Sequence, residues 1–419
     1  MLLHRSPERP PDGPGLGALD WLNFFVANLQ TGFGPFIAVY LTTNKWTQGE
    51  IGVALSVGSA VTMFAQVPAG ALVDAMPRKR LATALGLFGV ACSALLMAAW
   101  PDQLPVMLAQ ALHGSASCVI VPAIAAITLN RVGHQMFAER LGRNARFAAI
   151  GSAAGAAIMG GIGSYVSSRA VFWFAAALCL PAIVSVGVMP PRNPPADPGL
   201  AAATEPADSV RESIWTVLLD RRVLAFTLCV VCFQLANAAM LPIAAGEVTR
   251  QAGNSANLII AACLVLPQGV VALLSPAVGR LAERIGRRPV LLVGFLALPV
   301  RALLLAALAS PPLIVATQLL DGIGGAVLGV LLPLVAADVT RGTGRFNLCM
   351  GGIGLGIGVG ATLSTAIAGD LASQFGNSVA FLALALAGVA GVLLVAFVMP
   401  ETQPGRPVRR RALLPWLGG

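Results

Sequence analysis

The sequence predicts an all-α integral membrane protein, with twelve transmembrane helices arranged as two related six-helix halves. Three observations predict it. The 419-residue chain is 57% hydrophobic and only 11% charged, with a mean hydropathy of +0.80, too apolar for an ordinary water-soluble domain. Apolar runs long enough to cross a bilayer recur along it, each bounded by charges, Pro, or Asn and Gly. Shifting the chain by about half its length brings the same short motifs into register.

Crossing the hydrocarbon core takes roughly 20 apolar residues in a helix. Runs of that length cover 21–42, 51–73, 81–100, 104–129, 147–166 and 171–189, then 223–246, 258–278, 289–308, 313–337, 346–368 and 379–399. The chain therefore divides into a cytoplasmic N-terminal segment 1–18, a first bundle 19–190, a linker 191–222, a second bundle 223–400 and a basic tail 401–419. The linker is rich in Pro and Ala and then turns amphipathic. Ser209 and Glu212 have capping-box spacing, so it is expected to end in a short surface helix. The Arg- and Pro-containing start runs straight into an apolar segment of full length, which reads as an uncleaved signal anchor.

Orientation follows from the cations. With the N-terminus inside, 23 of the 27 Lys and Arg residues fall on inner segments, only Lys45, Arg169 and Arg250 fall on outer loops, and Arg301 lies within the ninth span. Such a bias places both termini in the cytoplasm of a multi-pass protein of the bacterial inner membrane. The formal charge of +9 is thus boundary charge, not a nucleic-acid surface. Seven cysteines lie in or beside apolar runs and read as small hydrophobes; Cys229 and Cys232 form a CxxC with no ligands nearby. Lys45 and Lys79 are the only lysines, so no G-x-x-x-x-G-K-[ST] phosphate loop exists and ATP drive within the chain is excluded. No constellation of His, Cys and carboxylates suggests an enzyme, a metal or a cofactor.

The repeat is specific. GALVDAMPRKR (70–80) falls on GRLAERIGRRP (279–289) at an offset of 209, pairing Gly70 with Gly279, Asp74 with Glu283, Arg78 with Arg287 and Lys79 with Arg288. Asn28 pairs with Asn237 at the same offset. QALHGSAS (110–117) falls on QLLDGIGG (318–325) at 208, pairing Gln110 with Gln318, His113 with Asp321 and Gly114 with Gly322. Arg146-Phe147 and Arg345-Phe346 open the fifth and eleventh spans alike.

On these motifs the chain resembles a major facilitator superfamily transporter over essentially its whole length. The carrying pattern, G-x-x-x-D-x-x-G-R-[RK] between the second and third spans, is met by Gly70, Asp74, Arg78 and Lys79, with a degenerate copy between the eighth and ninth. Pro77 departs from it where the pattern has Gly, and Glu283 departs in the second copy. Gln110 stands where the family's fourth-span R-x-x-x-G pattern has Arg, and the fifth span carries Gly151, Gly155, Gly160 and Gly161 without the Pro of the drug-antiporter signature.

The resemblance implies a central cavity lined by the first, fourth, seventh and tenth spans. His113 and Asp321 each lie about nine residues into their span from its outer end, near mid-bilayer at about 1.5 Å per residue. Gln110, His113, Gly114 and Ser117 share a helix face, as do Gln318, Asp321, Gly322 and Gly325. An unpaired charge in hydrocarbon is costly, so Asp321 is expected to face the cavity, be paired, or take up a proton during the cycle; the alternative is a purely structural hydrogen bond to a neighbouring helix. With His113, whose residue type titrates near neutrality when unperturbed, it is the candidate for proton coupling. Asn28, Gln30, Gln234 and Asn237 offer uncharged groups that either orient a substrate or tie helices together. Arg301 is expected to snorkel toward the outer interface or to pair with Asp370 or Glu247.

The loop motif has another expected role. Asp74, with Arg78, Lys79 and Arg80 beside it, would form charge-assisted bonds to a neighbouring helix end when the cytoplasmic side is closed, with Gly279, Glu283, Arg287 and Arg288 as the second copy and Gly70 permitting close approach. Gly352, Gly356 and Gly360 offer a smooth packing surface on the eleventh span. The expected function is secondary transport of a small organic molecule by alternating access. Proton-coupled export of a drug-like compound or a secreted metabolite such as a siderophore is favoured, and proton-coupled uptake is the alternative. Expected partners are the substrate, protons and the lipid bilayer, with a monomeric chain and no nucleic acid.

Overall fold

The computed structural model describes residues 15–33, 35–190, 213–252, 256–307 and 310–403. Every regular element among them is α-helical, in the order α1 (Leu16–Thr31), α2 (Pro35–Thr43), α3 (Gln48–Ala75), α4 (Lys79–Ala99), α5 (Gln103–Tyr165), α6 (Ser168–Val188), α7 (Ile214–Leu218), α8 (Arg221–Asn237), α9 (Met240–Ala252), α10 (Ala256–Ile285), α11 (Arg287–Ala307), α12 (Pro311–Val339), α13 (Phe346–Phe375) and α14 (Asn377–Phe397). The capping box at Ser209 and Glu212, most of the linker and nearly all of the basic tail lie outside the described residues.

Eleven helical stretches among the described residues are long and apolar enough to cross a membrane. The expected fourth and fifth spans are not separate helices but two limbs of α5, whose 63 residues would measure about 95 Å if straight, three times the hydrocarbon core. Gly133 breaks it with φ 68° and ψ 173°, a conformation essentially reserved for glycine. Its counterpart at an offset of 209 is Gly342, also at positive φ (81°), in the turn between α12 and α13. The two halves thus turn at matching residues, and the chain accounts for twelve spans. The first and seventh are each interrupted, between α1 and α2 and between α8 and α9.

Hydrocarbon explains the distribution of side chains. Phe64, Leu273, Leu386 and Phe397 are exposed, which a water-soluble domain would not tolerate as a continuous belt but a lipid-facing surface requires. One apolar core is built from 19–189, and a second joins the C-terminal helices to Phe137, Ala138 and Leu141 on the second limb of α5.

The halves meet backbone to backbone along two seams. On α3 and α13, a Cβ at Gly70 would collide with the carbonyl of Asn347, and one at Gly351 with the carbonyl of Gln66. On α10 and the second limb of α5, a Cβ at Gly279 would collide with the carbonyl of Ala138, and one at Gly142 with that of Ser275. Every member of the first seam maps onto the second at an offset of 209. Small residues let helix axes approach where lipid gives no hydrophobic drive for association.

These contacts set a clear expectation. Gly70→Val should destabilise the fold by on the order of 1–3 kcal/mol, because a carbonyl cannot swing aside as a side chain does. Gly160→Ala, where nothing stands within 4 Å of a Cβ, should leave thermal unfolding in detergent unchanged.

Candidate functional site

The helical hairpin of α11 and α12 positions an ion pair midway along the helices of the second bundle. Arg301 and Asp321 lie ten residues either side of Pro311, and residues equidistant from a tight antiparallel turn sit at the same depth. Arg301 Nη1 donates to Asp321 Oδ1 at 2.6 Å and to Asn237 Oδ1 at 2.6 Å, while Nη2 donates to Gln318 Oε1 at 2.6 Å. Gln318 is held for this by its own amide, which donates to the Ile314 carbonyl at 3.0 Å. Four side chains from α8, α11 and α12 thus form one network. Arg301 is sealed in at 1% side-chain exposure, whereas Asp321 keeps 27%. The arrangement corrects the expectation for Arg301: it neither snorkels nor meets Asp370 or Glu247, whose carboxylates accept from Gln374 and Asn377 instead.

The first bundle has no such pair at the matching place. Cys92 stands at the equivalent of Arg301 and His113 at the equivalent of Asp321. His113 stacks on Phe33 with ring centroids 3.8 Å apart and planes 9° from parallel, and its Nε2 lies 3.4 Å from Ser117 Oγ. Its Nδ1 is buried with no hydrogen-bond partner among the described residues. Gln110 is buried beside Gly58 of α3, and a Cβ at Gly114 would strike Thr62 Oγ1, so much of this helix face is occupied by packing against α3 rather than by water.

A cavity of about 370 Å³ lies between the halves, lined by α1, both limbs of α5, α10, α12 and Met350 of α13. Its polar groups are Asn23, Gln30, Asn144, Ser152 and Gln268 on an otherwise aliphatic wall. Of the expected residues Gln30 lines it, with a buried Nε2 that has no partner among the described residues. Asn28 instead packs tightly on Gly155, and Gln234 packs its Cβ on Gly360 of α13. Asp321, His113, Gln110 and Gln318 do not line this cavity.

At the basic end, Asp74 reaches from α3 to the start of α13. Its Oδ1 accepts from the Asn347 backbone N–H at 3.0 Å and from Asn347 Nδ2 at 2.7 Å, and its Oδ2 accepts from the Leu348 N–H at 2.7 Å. A carboxylate there satisfies orphan donors and faces the positive end of the helix dipole. Lys79 closes the end of α3 by donating to the carbonyls of Val73 and Asp74, the latter at 3.1 Å, and Arg80 donates to the carbonyls of Met189 and Pro190. Arg78 is exposed.

The second copy is built differently. Glu283 accepts no carboxylate hydrogen bond among the described residues, and Glu139 occupies the place that Leu348 holds in the first seam. Arg287 instead donates to Asp338 Oδ2 at 2.9 Å and to the Ala282 carbonyl, and the N–H groups of Arg287 and Arg288 are capped by Glu401. Asp338 and Glu401 escaped sequence reasoning, as did a buried cluster in which Arg140 and Arg143 both hold Asp20, at 2.6 and 2.7 Å, with Arg140 Nε donating to Asn144. Their signal was available: each is an acid, rare in this chain, at the edge of an apolar run on the cation-rich side. No three His, Cys, Asp or Glu side chains gather as a metal site among the described residues.

The family model for the Major Facilitator Superfamily matches residues 19–248 and 226–417. The chain belongs to the Major Facilitator Superfamily. An uncharacterized MFS-type transporter of Mycobacterium tuberculosis is 37% identical over 407 residues, 96% of each chain. The class C tetracycline resistance protein of Escherichia coli is 32% identical over 148 residues, 34% of this chain and 36% of that one. Among solved structures, the human organic anion transporter MFSD10 superposes with a TM-score of 0.73 over 92% of this chain and all of its own, at 15% identity, a likeness of fold. The protein is therefore an MFS transporter, a multi-pass membrane protein of a family that moves small molecules rather than transforming them.

The buried pair gives a test of energetics. Asp321→Ala leaves Arg301 charged in the bundle and should cost about 3–5 kcal/mol, read as a fall in thermal unfolding temperature in detergent. Adding Arg301→Met should recover most of that loss, since the double variant removes both charges.

Proposed function

We propose that this MFS transporter is a proton-coupled exporter of a small organic compound, a drug-like molecule or a secreted metabolite, working by alternating access in the bacterial inner membrane with both termini cytoplasmic. The observation that carries the reading is the Arg301–Asp321 pair. Arginine stays charged at any working pH, so the pair changes its net charge only when the carboxylate takes a proton. Asp321 is also the partner with side-chain exposure to spare. Protonation would cut its tie to Arg301, leave Asn237 and Gln318 to hold the guanidinium, and free α12 to move against α8 and α11. His113, stacked on Phe33 and outside the cavity lining, belongs in this scheme as a packing residue of the first bundle.

Export is favoured by the partial likeness to the tetracycline resistance proteins of Escherichia coli. The cavity between the halves, amide-dotted and aliphatic, suits the substrate, with Gln30 as the donor that reaches it. Asp74 serves as the latch: in the state described it ties the two halves together, and the opposite state requires its three bonds to break.

Two measurements test this. In proteoliposomes under an imposed pH gradient, Asp321→Asn should abolish uphill movement while equilibrium exchange of substrate persists; gradient-driven transport by that variant would defeat the coupling scheme. Cells overproducing the protein should hold less of the transported compound, and higher accumulation would reverse the assigned direction. For the latch, Cys349 lies buried just behind Leu348. Asp74→Ala should speed its alkylation by N-ethylmaleimide by about tenfold or more, as loss of charge-assisted bonds worth about 1.5–3 kcal/mol each predicts.

A further inference from the structure

On the outer surface of the first bundle, at its basic end, a groove of about 650 Å³ runs between α4, the first limb of α5 and α6. Arg78, Lys79, Arg80 and Arg131 stand along it, and its wall is apolar, with Leu81 and Ile183 among the residues forming it. Neither the latch nor the central cavity accounts for this feature.

No acidic side chain lines the groove among the described residues, although Lys79 also feels the Asp74 carboxylate at the end of α3. Lys79 and Arg80 are oriented by backbone carbonyls of Val73, Asp74, Met189 and Pro190, which are dipoles and carry no net charge. Among the described residues no carboxylate forms an ion pair with Arg78, Lys79 or Arg80. The first N–H groups of α4 open at the same rim, because its N-cap residue, Arg78, supplies no side-chain acceptor. A group with several negatively charged oxygens is the chemistry that would complete this rim.

The wall says what that group is attached to. Leu81, Leu85 and Phe88 of α4 and Leu180, Val184 and Val188 of α6 are exposed, so the apolar wall runs without interruption onto the lipid-facing surface. A soluble anion has no use for such a wall, whereas an acyl chain does. We propose that this groove binds an anionic phospholipid of the leaflet at the basic end, its phosphate among the four cations and an acyl chain lying along α4 and α6. Occupancy concerns the bundle's outer face and does not depend on the transport reading above.

The full chain, purified and stripped of lipid in detergent, tests it. Adding dioleoylphosphatidylglycerol should raise the unfolding temperature and leave one lipid bound in native mass spectrometry, whereas dioleoylphosphatidylcholine should do neither. Arg78→Gln, at an exposed position where folding is not at stake, should weaken retention about fivefold, the share of one surface cation in attraction to an anionic leaflet. Gly187→Phe fills the groove from a position with nothing within 4 Å of a Cβ and removes no charge, so it should block retention even though the cations remain. Equal effects of the two lipids, full retention by Gly187→Phe, or equal protection by inorganic phosphate alone would each overturn the assignment.

Discussion

Hydrocarbon cannot solvate a polar group, and that constraint governs this molecule at every level. It forces the backbone into helices, since each N–H and C=O must find its partner within the chain. It sends apolar side chains outward as well as inward. It also turns the few polar groups within the spans into a small set of fixed contacts, because a guanidinium such as Arg301 has to bring its acceptors with it. Asn237, Gln318 and Asp321 are those acceptors, and three helices are registered against one another by them.

Between the halves the same constraint works through glycine. Lipid offers no hydrophobic gain when two helices meet, so association depends on how closely backbones approach. Gly70 and Gly351 on one side, and Gly279 and Gly142 on the other, bring α3 to α13 and α10 to α5 until carbonyls lie against bare Cα atoms. Asp74 then adds an electrostatic tie on the first seam. Close approach places the carboxylate within reach of the α13 terminus, so geometry precedes chemistry there.

Much of this was legible in the sequence, because both the membrane and the duplication leave periodic traces. The spans showed as apolar runs, the halves as an offset of 209, and Asp74 as a carboxylate at a fixed distance from Gly70. What stayed hidden depended on which residues meet across helices. Arg301 read as a snorkelling cation because its partner lies twenty residues away on the next helix, although counting outward from Pro311 would have paired them. Asp20, Asp338 and Glu401 drew no reading, since an acid at a span end looks the same whether solvated or clasped by Arg140, Arg287 or a helix terminus. Gln110 looked free to face water because a helix face in sequence does not reveal that α3 already packs against it.

The matched seams carry a lesson about what duplication leaves behind. Their glycines still superimpose, yet Glu139 sits where Leu348 sits in the other copy. Restoring the motif by shortening Glu283 to Asp would therefore not create a second latch. It would still leave a carboxylate facing Glu139, and like charges repel. The ancestral symmetry survives in the shape of the backbone and has been lost in its charge, so the two halves can no longer be exchanged for one another.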